Sequence, residues 1–191
     1  MRSENKTDKI ILGIDPGTNI MGYGLIHIQG SAVKLIHMDI IVLSRISTHP
    51  LKLKHIFEQT TVVINKYGPD EVALEAPFFG KNVQSMLKLG RAQGIAMAAA
   101  LNKNLPVFEY SPRKIKQSIT GKGTSSKEQV ATMLQRVLSI ATMSEKLDAT
   151  DALAVALCHH FQNKVGSGIE QKKYSSWKSF VTENSAKVSG L

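Results

Sequence analysis

The sequence predicts an α/β fold, a five-stranded mixed sheet with helices on both faces. Three observations carry this. Apolar runs broken at Asp15-Pro16-Gly17 and again at Gln29-Gly30-Ser31 give three strands in succession, joined so briefly that they must run antiparallel. A helical pattern then separates them from Glu71-Val72-Ala73-Leu74-Glu75, a short strand able to return parallel to the first by a right-handed crossover. A second helix and a fifth strand complete the order β-β-β-α-β-α-β, and helices follow. The 191 residues, 42% of them hydrophobic, suffice for one domain with a buried core.

In chain order, strands are expected over 9–15, 20–28 and 32–43. Pro16 fixes φ at the first corner and Gly17 accepts tight-turn geometry, so the first strand stops at Asp15. Gly22-Tyr23-Gly24 in the second strand is consistent with close backbone packing and equally with DNA approach. Thr48 or Ser47 caps the first helix, Pro50 stands in its first turn, and Tyr67-Gly68-Pro69 ends it. Leu53, Ile56, Phe57, Thr60, Val63 and Ile64 recur at helical spacing and face the sheet. After Glu75, regular pairing stops at Ala76-Pro77, and Phe78-Phe79-Gly80-Lys81 forms a loop with two aromatics beside a lysine. A long helix follows over 82–102, rich in small residues from Gly94 to Ala100 that admit a strand or a second subunit at close range. The fifth strand is 105–110, and Ser111-Pro112 opens a short helix. The glycine-rich connector Ile119-Thr120-Gly121-Lys122-Gly123-Thr124 precedes a helix starting at Ser125 and reads as a phosphate cradle carrying Lys122 and Lys127, without Walker A spacing. The segment from Leu147 to Cys158 is apolar nearly all round and is expected as a buried helix, with Cys158, His159 and His160 in packing or surface roles.

Residues 1–8 form a polar leader, 9–162 the folded domain, and 163–191 a basic, Ser-rich tail that begins with a flexible linker at 164–168. In the tail, Trp177, Phe180 and Val181 have the spacing of a short docking helix. No apolar run approaches the ~20 residues of a membrane span. The N-terminal segment lacks the apolar core of a secretory signal, so a cytoplasmic location is expected. One cysteine excludes an intrachain disulfide framework and a multi-cysteine zinc site. The net charge of +9 points to an anionic partner. Its distribution is more informative: residues 81–127 contain nine basic side chains and a single acid, Glu109. A solvated helix face mixes both signs, whereas this quarter of the chain suits a phosphate backbone.

Four acids stand out against that background. Asp15 and Glu75 end strands placed side by side, and Asp148 and Asp151 share one face at the head of the buried helix. Taken alone, Asp15 is an ordinary turn residue, and the helix pair is well explained by capping and dipole chemistry. Taken together, converging carboxylates repel and require a counter-cation. Hard oxygen ligands favour Mg²⁺ or Mn²⁺ over zinc. Two such ions ~4 Å apart would activate water and stabilise the leaving oxygen in phosphodiester hydrolysis.

The chain resembles the RuvC Holliday junction resolvases. The matching residues are Gly13-Ile14-Asp15-Pro16-Gly17 with Gly22-Tyr23-Gly24, Glu75 through Phe78, and Lys81-Asn82. They continue through Leu87-Lys88-Leu89-Gly90, Arg91-Ala92-Gln93-Gly94, Pro106 to Tyr110, Lys116-Gln117, Gly121-Lys122-Gly123 and Lys127, and end at Asp148-Ala149-Thr150-Asp151-Ala152-Leu153-Ala154. Coverage runs from about residue 9 to 161, in order. The resemblance implies an RNase H-like fold and a homodimer that nicks two opposed strands of a four-way junction, with the 82–102 helix at the dimer interface. It implies that Asp15, Glu75, Asp148 and Asp151 hold catalytic Mg²⁺, two ions per site, with Mn²⁺ as a substitute. Part of the family carries histidine at the Asp148 position. Phe78 matches an aromatic that stacks on bases near the junction centre, and Lys116 and Lys127 match lysines near the scissile phosphate. With Lys81, Arg113, Lys114 and Lys122 from the basic segment, these are the expected DNA contacts. A branch-migration motor of RuvA and RuvB type is the implied partner.

Three rival readings have distinct requirements. An actin-like or sugar-kinase ATPase shares the Gly-x-Asp-x-Gly turn but needs a second such half, which this chain lacks. An inactive junction-binding module would show the same basic face without reason to keep four acids. An RNase H-like nuclease of different substrate shape differs in what it cuts, not in these residues.

Overall fold

The computed structural model describes residues 8–77, 82–141 and 146–168, with side chains as far as Asn163. Its elements are β1 (Asp8–Asp15), β2 (Ile20–Gln29), β3 (Ala32–Val42), α1 (His49–Tyr67), β4 (Glu71–Glu75), α2 (Val83–Leu101), β5 (Val107–Tyr110), α3 (Pro112–Thr120), α4 (Lys127–Leu138) and α5 (Leu147–Gly168). Among the described residues, five strands form one sheet in the order β3-β2-β1-β4-β5. The first three are an antiparallel meander, and β4 and β5 run parallel to β1.

Turn chemistry sets this order. Gly30 takes φ 61° in the two-residue link between Gln29 and Ala32, a conformation glycine adopts without strain. Gly68 (φ 55°) ends α1 with its N–H on the Ile64 carbonyl. Ser111 accepts from the Lys114 N–H and Pro112 opens α3. Asn82 caps α2 by accepting from the Ser85 N–H, while Thr48 begins α1 with no side-chain cap.

Alternation along the strands divides the core in two. Leu12, Ile14, Leu25, Val72 and Leu74 pack with Ile56, Val63, Ala92 and Ala96 of α1 and α2. Ile11, Ile26 and Ala73 pack on the other face with Ile115, Leu134 and the Leu153–Cys158 stretch of α3, α4 and α5. Cys158 and His159 are fully buried there, which fixes them in packing positions. Neutral His159 joins β5 to β4: its Nδ1 accepts from the Tyr110 hydroxyl at 2.7 Å, and its Nε2 donates to Glu71 at 2.7 Å. Glu71 also takes Lys9 of β1 at 2.6 Å.

Two expectations change. The linker expected at 164–168 is helical, because α5 runs on to Gly168; elongating an established helix adds a bond per residue and overrides two weak glycines. The glycine connector is closed on itself rather than open as a cradle. The Thr120 hydroxyl takes the Lys122 N–H (3.2 Å) and meets the Ser125 hydroxyl (2.8 Å). Ser126 and Gln129 then satisfy the start of α4 as a reciprocal capping box. Asp8, expected as the end of the leader, already belongs to β1, and Phe78, Lys81, residues 1–7 and the tail beyond 168 lie outside the described residues. Among the described residues no helix is long and apolar enough to cross a membrane.

Candidate active site

β1 and β4 end level with each other: the register pairs Ile14 with Leu74, so Asp15 and Glu75 are the next residues of adjacent parallel strands. Period-two alternation puts both on the face covered by α5, below which lie Gly13 and Ala73. Lys52 of α1 holds the turn that follows Asp15, donating to the Thr18 carbonyl at 2.8 Å and to Asn19 Oδ1 at 3.1 Å.

Three glycines bring α5 down onto these carboxylates. A Cβ at Gly13 would be driven into the Ala152 carbonyl oxygen, one at Gly22 into the Asp148 carbonyl oxygen, and one at Gly24 would lie 2.9 Å from the Leu153 Cα. Helix backbone thus rests directly on strand backbone, and close packing is the role of Gly22-Tyr23-Gly24. Lys146, just ahead of α5, reaches Asp39 of β3 at 2.5 Å and fixes where the helix begins. Its carbonyl accepts from the Thr150 N–H at 3.3 Å, so Lys146 stands at the cap and Asp148 and Asp151 lie inside the first turns. Asp151 is engaged by Lys127 Nζ at 2.5 Å, across from α4.

A cleft of about 700 Å³ opens over this point, lined by Asp15, Glu75 and Asp151 together with Arg113, Lys116 and Lys127. Asp148 is outside that lining but close enough to act on Asp15. Burial, then Glu75, Asp151 and Asp148, push the Asp15 carboxyl up to about 8 against the opposing pull of Lys127. Burial and Asp151 raise Glu75 to about 7, with Lys127 and Lys116 opposing. The Lys127 ammonium is raised in turn, first by its bond to Asp151. Asp15 is the hub, since each of the other acids bears on it.

The donor set fits a hard divalent cation. It consists of carboxylates alone, and the upward shifts come from burial and from negative charge that Lys127 and Lys116 leave uncompensated. Among the described residues, no three acid, histidine or cysteine side chains are drawn in around one point. The carboxylates sense one another without forming a closed cage, and Lys127 stands where a cation would neutralise Asp151.

Of the expected DNA contacts, Arg113, Lys116 and Lys127 line the cleft. Lys114 and Lys122 are exposed outside its lining, Lys114 presenting its carbonyl to Cys158 Sγ at 4.0 Å. Sequence reasoning missed three contributors: the glycine contact with α5, the Lys52 clamp, and Gln93, which reaches the Glu75 carbonyl from α2. Gly13, Gly22 and Gly24 do carry a signal, small residues at alternate positions of neighbouring strands, but what covers them is visible only in the fold.

The family model of the crossover junction endodeoxyribonuclease RuvC matches residues 11–159. The chain is 55% identical over 186 residues to the protein of that name from Cytophaga hutchinsonii, covering 97% of this chain and 91% of the relative. It is 56% identical over 183 residues to the one from Bacteroides fragilis, covering 95% and 96%. Its structure is similar to that of Thermus thermophilus RuvC in complex with Holliday junction substrate, with a TM-score of 0.78 and 30% identity over 83% of this chain and 97% of that one.

Proposed function

The chain belongs to the RuvC family of crossover junction endodeoxyribonucleases, and on that footing we propose that it resolves four-way DNA junctions by paired, metal-dependent phosphodiester hydrolysis in recombination and repair. The observation that carries the reading is the meeting of Asp15, Glu75 and Asp151, from two strand ends and one helix, beside three cations in one cleft, with Asp148 near enough to bear on Asp15. These four carboxylates hold the ion, taken as Mg²⁺ with Mn²⁺ as substitute and two ions per site. A bound divalent cation supplies water activation and neutralises the leaving oxygen.

The chain's own residues do the rest. The sheet ends and α5 hold the carboxylates rigidly, so no reorganisation is needed when the substrate arrives. Lys116 and Lys127 face the scissile phosphate and stabilise its developing charge, while Arg113 takes a neighbouring phosphate. Phe78 stacks on bases near the junction centre, and Lys81, Lys114 and Lys122 supply further DNA contacts.

The protein acts as a homodimer through α2, in the cytoplasm, served by a motor of RuvA and RuvB type. In support of the dimer, α2 presents Val83, Leu87 and Leu101 to solvent, 66%, 56% and 56% exposed. Open space surrounds Gly90 and Gly94 between them, leaving room for a second helix at close range. The test is Asp15→Asn and Asp151→Asn on a synthetic junction. Both variants bind the junction and neither cuts it; undiminished cleavage by either overturns the assignment.

A further inference from the structure

The ladder between β4 and β1 lacks a rung at Glu75. Main-chain groups alternate in direction along a strand. Val72 and Ala76 give their N–H groups toward β5, to the Pro106 and Tyr110 carbonyls, each at 2.9 Å. The Glu75 carbonyl therefore points the other way, toward β1. There the register that pairs Ile14 with Leu74 brings Pro16 into line as the next donor, and proline has no N–H. The turn that ends β1 and frees Asp15 thus removes the rung that would secure Glu75.

Gln93 fills the gap. It lies on α2, is 5% exposed, and lines the cleft. Its Nε2 donates to the Glu75 carbonyl at 3.3 Å and to Glu109 Oε1 at 2.6 Å. Two acceptors fix the orientation of the amide, because its oxygen could satisfy neither. Glu109, the single acid of the basic segment, is thereby accounted for: it anchors the glutamine from β5.

We propose that Gln93 is a positioning residue for the cleavage reaction, supplying to Glu75 the hydrogen bond that Pro16 cannot and fixing the strand end from which Glu75 enters the carboxylate cluster. It touches neither substrate nor ion and acts through Glu75. The inference rests on the carboxylate cluster being the cation site.

The experiment measures Mn²⁺ binding to the DNA-free protein by electron paramagnetic resonance, alongside single-turnover junction cleavage and junction affinity. Gln93→Leu weakens Mn²⁺ binding and slows cleavage at least ~10-fold, the usual effect of losing a group that orients a ligand, while junction affinity stays within about twofold. Pro16→Ala restores a main-chain N–H at the gap, so Gln93→Leu with Pro16→Ala recovers part of the lost Mn²⁺ affinity, which relief of a packing defect alone would not do. If Gln93→Leu does not fold, Gln93→Met carries the test: it is of similar length, has no donor, and shows the same loss. Wild-type Mn²⁺ affinity and cleavage in the folded variant overturn the proposal, as does a double variant no better than Gln93→Leu. Failure of the wild type to bind Mn²⁺ at all would instead strike the cation-site reading itself.

Discussion

Asp15→Asn should make the metal-free protein more stable while destroying its activity. In the folded state the Asp15 carboxyl stands near 8 rather than its ordinary 3.8. Below pH ~4 it is protonated folded or unfolded and costs nothing. Between ~4 and ~8 the unfolded chain releases the proton that the folded chain retains, so stability falls as pH rises, and above ~8 the loss is complete. At ~1.4 kcal/mol per pKa unit the full displacement amounts to ~6 kcal/mol. Asp15 is only partly buried, and screening reduces the working figure to ~3 kcal/mol. Asparagine keeps the size and removes the charge. Urea denaturation in EDTA should show the variant level with the wild type near pH 4 and ~3 kcal/mol more stable at pH 8.5. Adding Mg²⁺ should stabilise the wild type and leave the variant unchanged. A variant no more stable at pH 8.5 than at pH 4, relative to wild type, would refute the claim that these carboxylates are held together against their own repulsion.

Gly22→Ala places a Cβ against the Asp148 carbonyl, and backbone cannot yield as a side-chain tip does; thermal denaturation should show a loss of ~3 kcal/mol or more, with Mn²⁺ binding lost as α5 lifts. Lys127→Met removes the cation bonded to Asp151, so calorimetry on the DNA-free protein should show tighter Mg²⁺ binding, roughly 10-fold, while junction cleavage falls; unchanged affinity would mean that Lys127 does not compete for that carboxylate. His159→Leu leaves the Tyr110 hydroxyl and one Glu71 oxygen without their buried partner; denaturation should register a loss of ~2–4 kcal/mol, with Mn²⁺ affinity preserved because the network lies away from the cleft lining.

What the sequence revealed was local chemistry. The Pro16-Gly17 corner, the stop at Ala76-Pro77 and the Ser111-Pro112 helix start each act within a few residues, and each stands where the pattern put it. Asp15 and Glu75 were placeable because a parallel return from one crossover leaves little choice of neighbour. Contacts that depend on distant segments meeting were not legible. Lys127 and Asp151 are 24 residues apart, and Lys52 and Thr18 are 34 apart. Gln93 stood within the matched Arg91-Ala92-Gln93-Gly94 stretch, but its bond to the Glu75 carbonyl joins residues 18 apart and shows only in the fold. Asp148 and Asp151 fitted a capping role until the cap proved to be Lys146. The glycine connector had phosphate-loop composition, but its hydroxyls bond within the loop, which residue types alone do not reveal.

The most direct test of the account is the mapping of cleavage products from a synthetic four-way junction labelled on each strand in turn. Given Mg²⁺ or Mn²⁺, the wild-type protein should cut two opposed strands at symmetric positions and release two nicked duplexes, and in EDTA it should bind the junction and leave it whole. A junction bound tightly yet intact across both ions would contradict the reading of Asp15, Glu75, Asp148 and Asp151 as a hydrolytic centre.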